Sequence, residues 1–434
     1  MTLNTINWLD LDATAQQALL RRPAMIDDAD QRMACAAIVD QVRTSGDQAI
    51  HALTSQFDQV ELCNTKVSNS EFEAAEQALS SKAKAAIDLA IRNVRCFHAA
   101  QNPAPITVET MPGVTCERIS HAIDSVGLYV PAGTAPLPSA AVMLAVPAAL
   151  AECPVRIMCT PPRADGTADP AVLVAASRAG VRDIFKIGGA QAIAAMAYGT
   201  ESVPKVCKIF GPGNAWVTVA KNIVSADPNG AAIDMPAGPS EVLVIADATA
   251  SPQFVAADLL SQAEHGVDSQ VVLICTNIEF AQQVNIEISA QLADLPRASI
   301  AKAALQNSRS IIVADIETAI EISNAYAPEH LILQVESARE FLPSVRNAGS
   351  VFVGPWTPES VGDYCSGTNH VLPTHGFARA YSGLGVEQFL RQMTVQELTS
   401  KGLADIAEAV IELADLEGLS AHAAAVRLRQ ESTP

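Results

Sequence analysis

Imidazole and carboxylate side chains keep company in the second half of this chain. His265 follows Glu264, His330 follows Glu329, His370 and His375 follow Asp363, and His422 follows Glu417, whereas His51, His98 and His121 are scattered. Such groups serve as metal ligands and as acid–base couples near neutral pH. Glu329 and His330 lie in YAPEHLILQ. Pro328 disfavours helix at Ala327, so a helix should end there and HLILQ should begin a strand. An acid and a base then sit side by side at a loop-to-strand junction, or simply form a solvated loop end. The amino end of a strand is an unusual place for chemistry, because open α/β sheets bind ligands at their carboxyl ends.

Gln262 and His265, in DLLSQAEHGVDS, share one helix face, and Gly266 marks the helix end. Both side chains can bind a divalent cation, although Gln is an uncommon zinc ligand and a histidine at a helix C-terminus also complements the dipole. Asp363 and His370 lie in VGDYCSGTNHVLPTHG, a polar, turn-rich segment after a buried strand. Loops of this kind carry sites disproportionately. Asp363 offers a hard oxygen ligand. Cys365 offers the rival chemistry of a thiolate nucleophile, with no basic neighbour to favour the thiolate. Cys116 and Cys153 also lack an electropositive context and read as structural. In LEGLSAHAAAVRLR, Ser420 can cap a helix whose first turn holds His422, a position that suits a ligand imidazole and equally an exposed one.

Three further segments, GLYVPAGTAPLPS, KIGGAQAIAAMAYGT and IFGPGNAWVTVAK, put glycines between a strand and a helix. Free N–H groups at a helix start suit a phosphate or polar ligand. None is a GxGxxG with a following acid, and glycine also serves tight turns.

The elements that must position these residues are legible from texture. Apolar residues recur at helical spacing over 30–42 and 70–99. Strand candidates follow at 126–130, 155–159, 183–187 and 206–210, then at 241–246, 270–275, 310–314, 330–334 and 350–353. Continuous apolar strands separated by helices imply parallel sheets covered on both faces. The fold expected is α/β, with two tandem Rossmann-like doubly wound units. Residues 1–24 form an irregular arm, 25–120 with 238–380 a catalytic lobe, and 121–237 a second lobe, with the joint in DMPAGPS at 234–240. After about 381 the chain reads as helices only, a tail (381–434) too small to stand alone.

The formal net charge of −19 opposes a nucleic-acid or anionic-membrane partner, which would need a basic face. The longest apolar run, 140–151, is too short to span a bilayer. Nine dispersed cysteines without a CxxC pair do not read as a disulfide framework, and the opening residues lack a secretory pattern. The expected compartment is the cytoplasm.

Taken in order, GLYVPAGTAPLPS, GGAQAIAAMAYGT, FGPGNAWVTVAK, DMPAGPSEVLVIAD, QAEHG, APEHL, SGTNHVLPT, ARAYSGL and SAHAAAV resemble the histidinol dehydrogenase family over essentially the whole chain. The resemblance implies oxidation of L-histidinol to L-histidine with two NAD and one water, through a bound aldehyde. It implies Gln262, His265, Asp363 and His422 as ligands of one zinc per subunit, and Glu329 and His330 as the catalytic acid–base pair. Ser240, His370 and Glu417 match substrate-binding positions, which the ligands Gln262, His265, Asp363 and His422 and the base His330 also share. Tyr129, Gln191 and Asn214 match NAD-binding positions. It further implies an intertwined homodimer, in which Glu417 and His422 serve the partner's site. Two other chemistries fit the same residues: a zinc hydrolase with Glu329 as general base, and a non-enzymatic metabolite-binding protein.

Overall fold

A computed structural model describes residues 2–22, 29–132, 135–235 and 238–431. The expected boundary at 24/25 lies outside the described residues, as does residue 237. The chain opens with β1 (Asn4–Asn7) and α1 (Ala13–Leu19), followed by α2 (Ala29–Asp58), α3 (Asn69–Ala78) and α4 (Ser81–Ala99). A hairpin, β2 (Ile106–Met111) and β3 (Val114–Ala122), leads into β4 (Ser125–Tyr129), α5 (Pro138–Leu150), β5 (Val155–Thr160) and α6 (Pro170–Arg178). Then come β6 (Asp183–Lys186), α7 (Gly189–Tyr198), β7 (Lys208–Phe210), α8 (Ala215–Ala226) and β8 (Ala232–Ile233). The next run is β9 (Glu241–Ala246), α9 (Pro252–Ala263), β10 (Gln270–Cys275), α10 (Ile278–Gln291), α11 (Ala298–Gln306), β11 (Arg309–Ile312) and α12 (Ile316–Tyr326). The chain closes with β12 (His330–Gln334), β13 (Ser350–Val353), α13 (Glu359–Tyr364), β14 (Leu390–Leu398), α14 (Ser400–Leu416) and α15 (Ser420–Glu431).

Two parallel sheets form. The larger has six strands in the order β1-β11-β10-β9-β12-β13, and the smaller has five in the order β6-β5-β4-β7-β8. β9, EVLVIA, and β10, QVVLIC, are buried throughout, as central parallel strands must be. Alternation divides their side chains between two faces: Val242 and Val244 join the core under α9, while Leu243 and Ile245 join the one under α12. In the smaller sheet Val126 and Leu128 meet the α5–α6 layer, and Tyr129 meets the α7–α8 layer. The helices of 29–99 pack here too. α2 adds Ile38, Val42 and Ile50 to the α7–α8 face, and α3 and α4 add Phe72 and Val94 to the α5 face.

Several expectations need correction. The helix expected over 30–42 continues to Asp58 through a kink at Gly46 (φ 52, ψ −132), where Glu201 accepts the freed Asp47 N–H at 2.8 Å. The helix expected over 70–99 is two helices, because Ser80 adopts extended backbone and caps α4 by accepting from Ala83 N–H. The arm is not irregular at its start, since β1 adds a parallel edge strand beside β11. The tail is not helical only. β14 pairs antiparallel with β3, completing the three-stranded sheet β14-β3-β2. β2 and β14 of that sheet are largely exposed, so they lack the continuous apolar runs that mark the buried parallel strands. No helix among the described residues is long and apolar enough to cross a membrane, and all nine cysteines are free.

Candidate active site

The histidines and carboxylates gather at the amino ends of β9, β12 and β13. α12 stops at Tyr326, Ala327 turns the chain through the left-handed region (φ 54), and Pro328 follows. The turn delivers Glu329 and His330, both buried, to the first rung of β12, with His330 between Val242 of β9 and Ser350 of β13. The neighbouring Gly349 lies so near that a Cβ there would stand 2.6 Å from the Glu329 carbonyl oxygen. The pair thus stands at the edge that parallel sheets ordinarily leave unused.

Glu241 holds the pair from its backbone. Its N–H donates to Glu329 Oε2 at 3.0 Å, and its carbonyl accepts from His330 Nδ1 at 3.2 Å. A carbonyl only accepts, so Nδ1 carries the proton and Nε2 presents a lone pair. Nε2 is buried without a hydrogen-bond partner, 3.8 Å from Asp363 Oδ1. The Glu241 side chain is itself locked. Arg22 Nε stands 2.5 Å from its Oε2, Tyr326 Oη donates to the same oxygen at 3.0 Å, and the Arg22 guanidinium lies 3.9 Å over the Tyr326 ring. Sequence reasoning missed Glu241, Arg22 and Tyr326. The one available sign was an acid opening an otherwise apolar strand.

α13 supplies two carboxylates, Glu359 and Asp363, one turn apart on the same face. It can approach because Gly362 meets Phe352 of β13, where a Cβ would come within 2.7 Å of the ring. One ligand atom each from His265, Glu359 and Asp363 lie within 4.8 Å of one another. His265 is exposed and stands just past the end of α9, whose last turn buries Gln262. His370 points Nδ1 at the Asp363 carbonyl, 3.0 Å away. Glu359 was also missed. It is 1% exposed and falls in WTPESVGDY, where no neighbouring histidine drew attention.

Burial pushes Glu329 well above the usual carboxylate range. The Glu241 N–H opposes this, and the negative charges of Glu241 and Asp363 add to it. Burial raises Glu359 in the same way, with Asp363, Glu329 and Asp258 crowding it. Burial lowers His330 and His370 against the opposing pull of Asp363, which keeps both imidazoles neutral. A crowd of buried carboxyls beside neutral imidazoles is the donor set of a divalent cation, whose charge relieves the repulsion. The residues therefore fit a metal.

The remaining expected residues fall in three places. Ser240 precedes β9, and its carbonyl accepts from Gln270 N–H at 3.2 Å. Glu417 ends α14 and His422 lies in the first turn of α15. Both are exposed, and neither contributes a ligand atom to the cluster of its own chain. Tyr129, Gln191 and Asn214 line the carboxyl edge of the smaller sheet. The buried Tyr129 hydroxyl, pushed up to about 12 by burial, accepts from Gly189 N–H at 3.0 Å. Gln191 is buried in the first turn of α7, and Asn214 caps α8 by accepting from Val217 N–H at 3.1 Å. Cys153 is buried with its thiol pushed up to about 11 by desolvation, which suits packing rather than nucleophilic chemistry. His375 covers Gly238 rather than joining the cluster.

Residues 21–430 match the family model described as histidinol dehydrogenase. The chain is 52% identical to the histidinol dehydrogenase of Vibrio vulnificus (strain YJ016), over 99% of both chains. It is 55% identical to that of Xanthomonas oryzae pv. oryzae (strain KACC10331 / KXO85), covering 98% of this chain and 99% of the relative. It superposes on the crystal structure of histidinol dehydrogenase from Elizabethkingia anophelis with a TM-score of 0.95 at 45% identity, covering 99% of this chain and 98% of the other.

Proposed function

Since the chain belongs to the histidinol dehydrogenase family and oxidises histidinol in histidine biosynthesis, we propose that Glu329 and His330 carry the proton transfers of that oxidation. The observation that carries this reading is the bare, buried Nε2 of His330 beside Asp363. That nitrogen takes the alcohol proton as the first hydride departs. Glu329, kept basic enough by its apolar setting, takes a proton from the water that adds to the aldehyde carbon. The hydrate then gives up a second hydride, and the proton of its hydroxyl passes to His330 once that imidazole has released the first, which leaves the acid. Two adjacent bases at one carbon allow both proton removals without releasing a reactive aldehyde. When bound, zinc would hold the amine and imidazole nitrogens of L-histidinol as a template, and NAD would accept the hydrides.

In this reading Gln262, His265 and Asp363 hold one zinc per subunit, and Ser240 and His370 contact the substrate. Tyr129, Gln191 and Asn214 border the NAD site. The partner of a homodimer contributes His422 to the zinc and Glu417 to the substrate. Supporting the dimer, the tail exposes Leu413, Leu416, Leu419 and Leu428 beside those two residues. The architecture is read as two Rossmann-like lobes with a dimerisation tail from 381. The helices of 29–99 are grouped with the 121–237 lobe, whose core they share. The enzyme is placed in the cytoplasm.

The test is His330→Asn in zinc-loaded protein. Turnover should fall by about 10²- to 10⁴-fold, while calorimetric binding of L-histidinol stays within a few-fold. Undiminished turnover would refute the assignment.

A further inference from the structure

We propose that Glu359 is a positioning residue that orients the Gln262 amide toward the cation site, an inference that rests on the zinc reading above. Gln262 closes α9 and Glu359 opens α13, and each is 1% exposed. With its nitrogen turned toward Glu359, the Gln262 amide donates to Oε1 at 2.7 Å and to Oε2 at 3.3 Å, and the same nitrogen stands 3.1 Å from His330 Nδ1, which receives no hydrogen from it because both amide hydrogens go to Glu359. The reverse orientation sets an amide oxygen against a carboxylate, acceptor to acceptor, in a buried place where neither can find water. Among the described residues no other donor hydrogen-bonds Glu359, and His330 Nδ1, at 4.0 Å, is committed to the Glu241 carbonyl.

The amide nitrogen and carboxylate therefore satisfy each other, and this decides which atom Gln262 has left to offer. A primary amide has one nitrogen and one oxygen. With the nitrogen held by Glu359, the oxygen is the free end, and only the oxygen can ligate a cation. Without Glu359 the amide could turn either way, and half of its orientations would present N–H to a positive ion. Glu359 lies within 4.8 Å of the His265 and Asp363 ligand atoms, but the Gln262 amide spans both of its oxygens. This makes it a support for a ligand rather than a ligand. Residues that orient metal ligands by hydrogen bonding set affinity strongly although they never touch the ion.

The test is a double-mutant cycle on zinc affinity, read by competition with a chromogenic chelator in full-length protein. The variants are Gln262→Ala, Glu359→Ala and the double substitution, with thermal unfolding of the metal-free forms as the control for folding. Glu359→Ala should weaken zinc binding by about 10- to 100-fold. The double variant should bind no more weakly than Gln262→Ala alone. A further tenfold loss when Glu359 is removed from the Gln262→Ala protein would overturn the proposal and make Glu359 a direct ligand. If Glu359→Ala does not fold, Glu359→Gln takes its place. Its amide oxygen can still accept from Gln262, so affinity should stay within a few-fold of the parent protein in each background, and a tenfold loss relative to Gln262→Ala alone would refute the idea. Loss of zinc binding on His265→Ala or Asp363→Ala tests the metal site itself. If wild type binds zinc and those variants do not, failure of the cycle counts against Glu359 alone.

Discussion

Glu329 and His330 are adjacent in sequence, yet one main-chain unit, that of Glu241, satisfies a side-chain atom of each. The pair was legible because Pro328 fixes the start of the strand. The atom that orients it was not, because a backbone N–H and carbonyl from a distant strand leave no mark on composition. The division of labour proposed for Glu329 and His330 makes a kinetic prediction. In single-turnover experiments Glu329→Gln should retain the first hydride transfer better than the second, since only the second requires an activated water. Equal loss of both steps would contradict that role. Asp58 carries a different prediction. Its Oδ2 is buried without a partner, and desolvation pushes its carboxyl up to about 6. The folded value lies above the unfolded one, so between about pH 4 and 6 the folded chain holds a proton that the unfolded chain has released. Stability from this group is fully present below that window and declines as pH rises through it. Asp58→Asn should raise stability by about 1 kcal/mol near pH 7.5, allowing for partial exposure, and by less near pH 5. Thermal unfolding at both pH values checks this, and no gain at the higher pH would count against it.

At the scale of elements, the central strands were readable because burial on both faces demands continuous apolar runs, as in EVLVIA and QVVLIC. β14 and β2 were not readable. Their residues mostly face water, and the pairing of β14 with β3 is a long-range choice that no local pattern announces, whereas β2 reaches β3 through the short turn at Pro112 and Gly113. β1 was hidden for the same reason, and with it the fact that the arm docks on the larger sheet and brings Arg22 to Glu241. The arm is thereby tied to β9, whose Glu241 backbone holds Glu329 and His330. Arg22→Ala should strand a buried carboxylate and cost about 3 kcal/mol or more in denaturant unfolding. Arg22→Met combined with Glu241→Gln, which removes both charges, should recover much of that loss. A single variant as stable as wild type would show that the pair does not anchor the arm.

Over the whole molecule, a site assembled from β9, α9, β12 and α13 leaves Glu417 and His422 exposed on a tail with uncovered leucines. The carboxylate–histidine company pointed to several segments, and topology decides which of them meet within one chain: His265, His330, Asp363 and His370 do, and Glu417 and His422 do not. If the tail serves a partner, mixing His422→Ala subunits with His330→Ala subunits should restore activity, because a heterodimer then contains one intact site. Mixtures as inactive as their parents would place each tail at its own site. The most direct measurement for the account as a whole is the yield of NADH from a limiting amount of L-histidinol, followed by absorbance, before chelation, after chelation and after zinc is returned. The account predicts two NADH per L-histidinol, loss of the signal with the chelator and its return with zinc. Absence of NADH from L-histidinol, or a yield indifferent to the chelator, would contradict it.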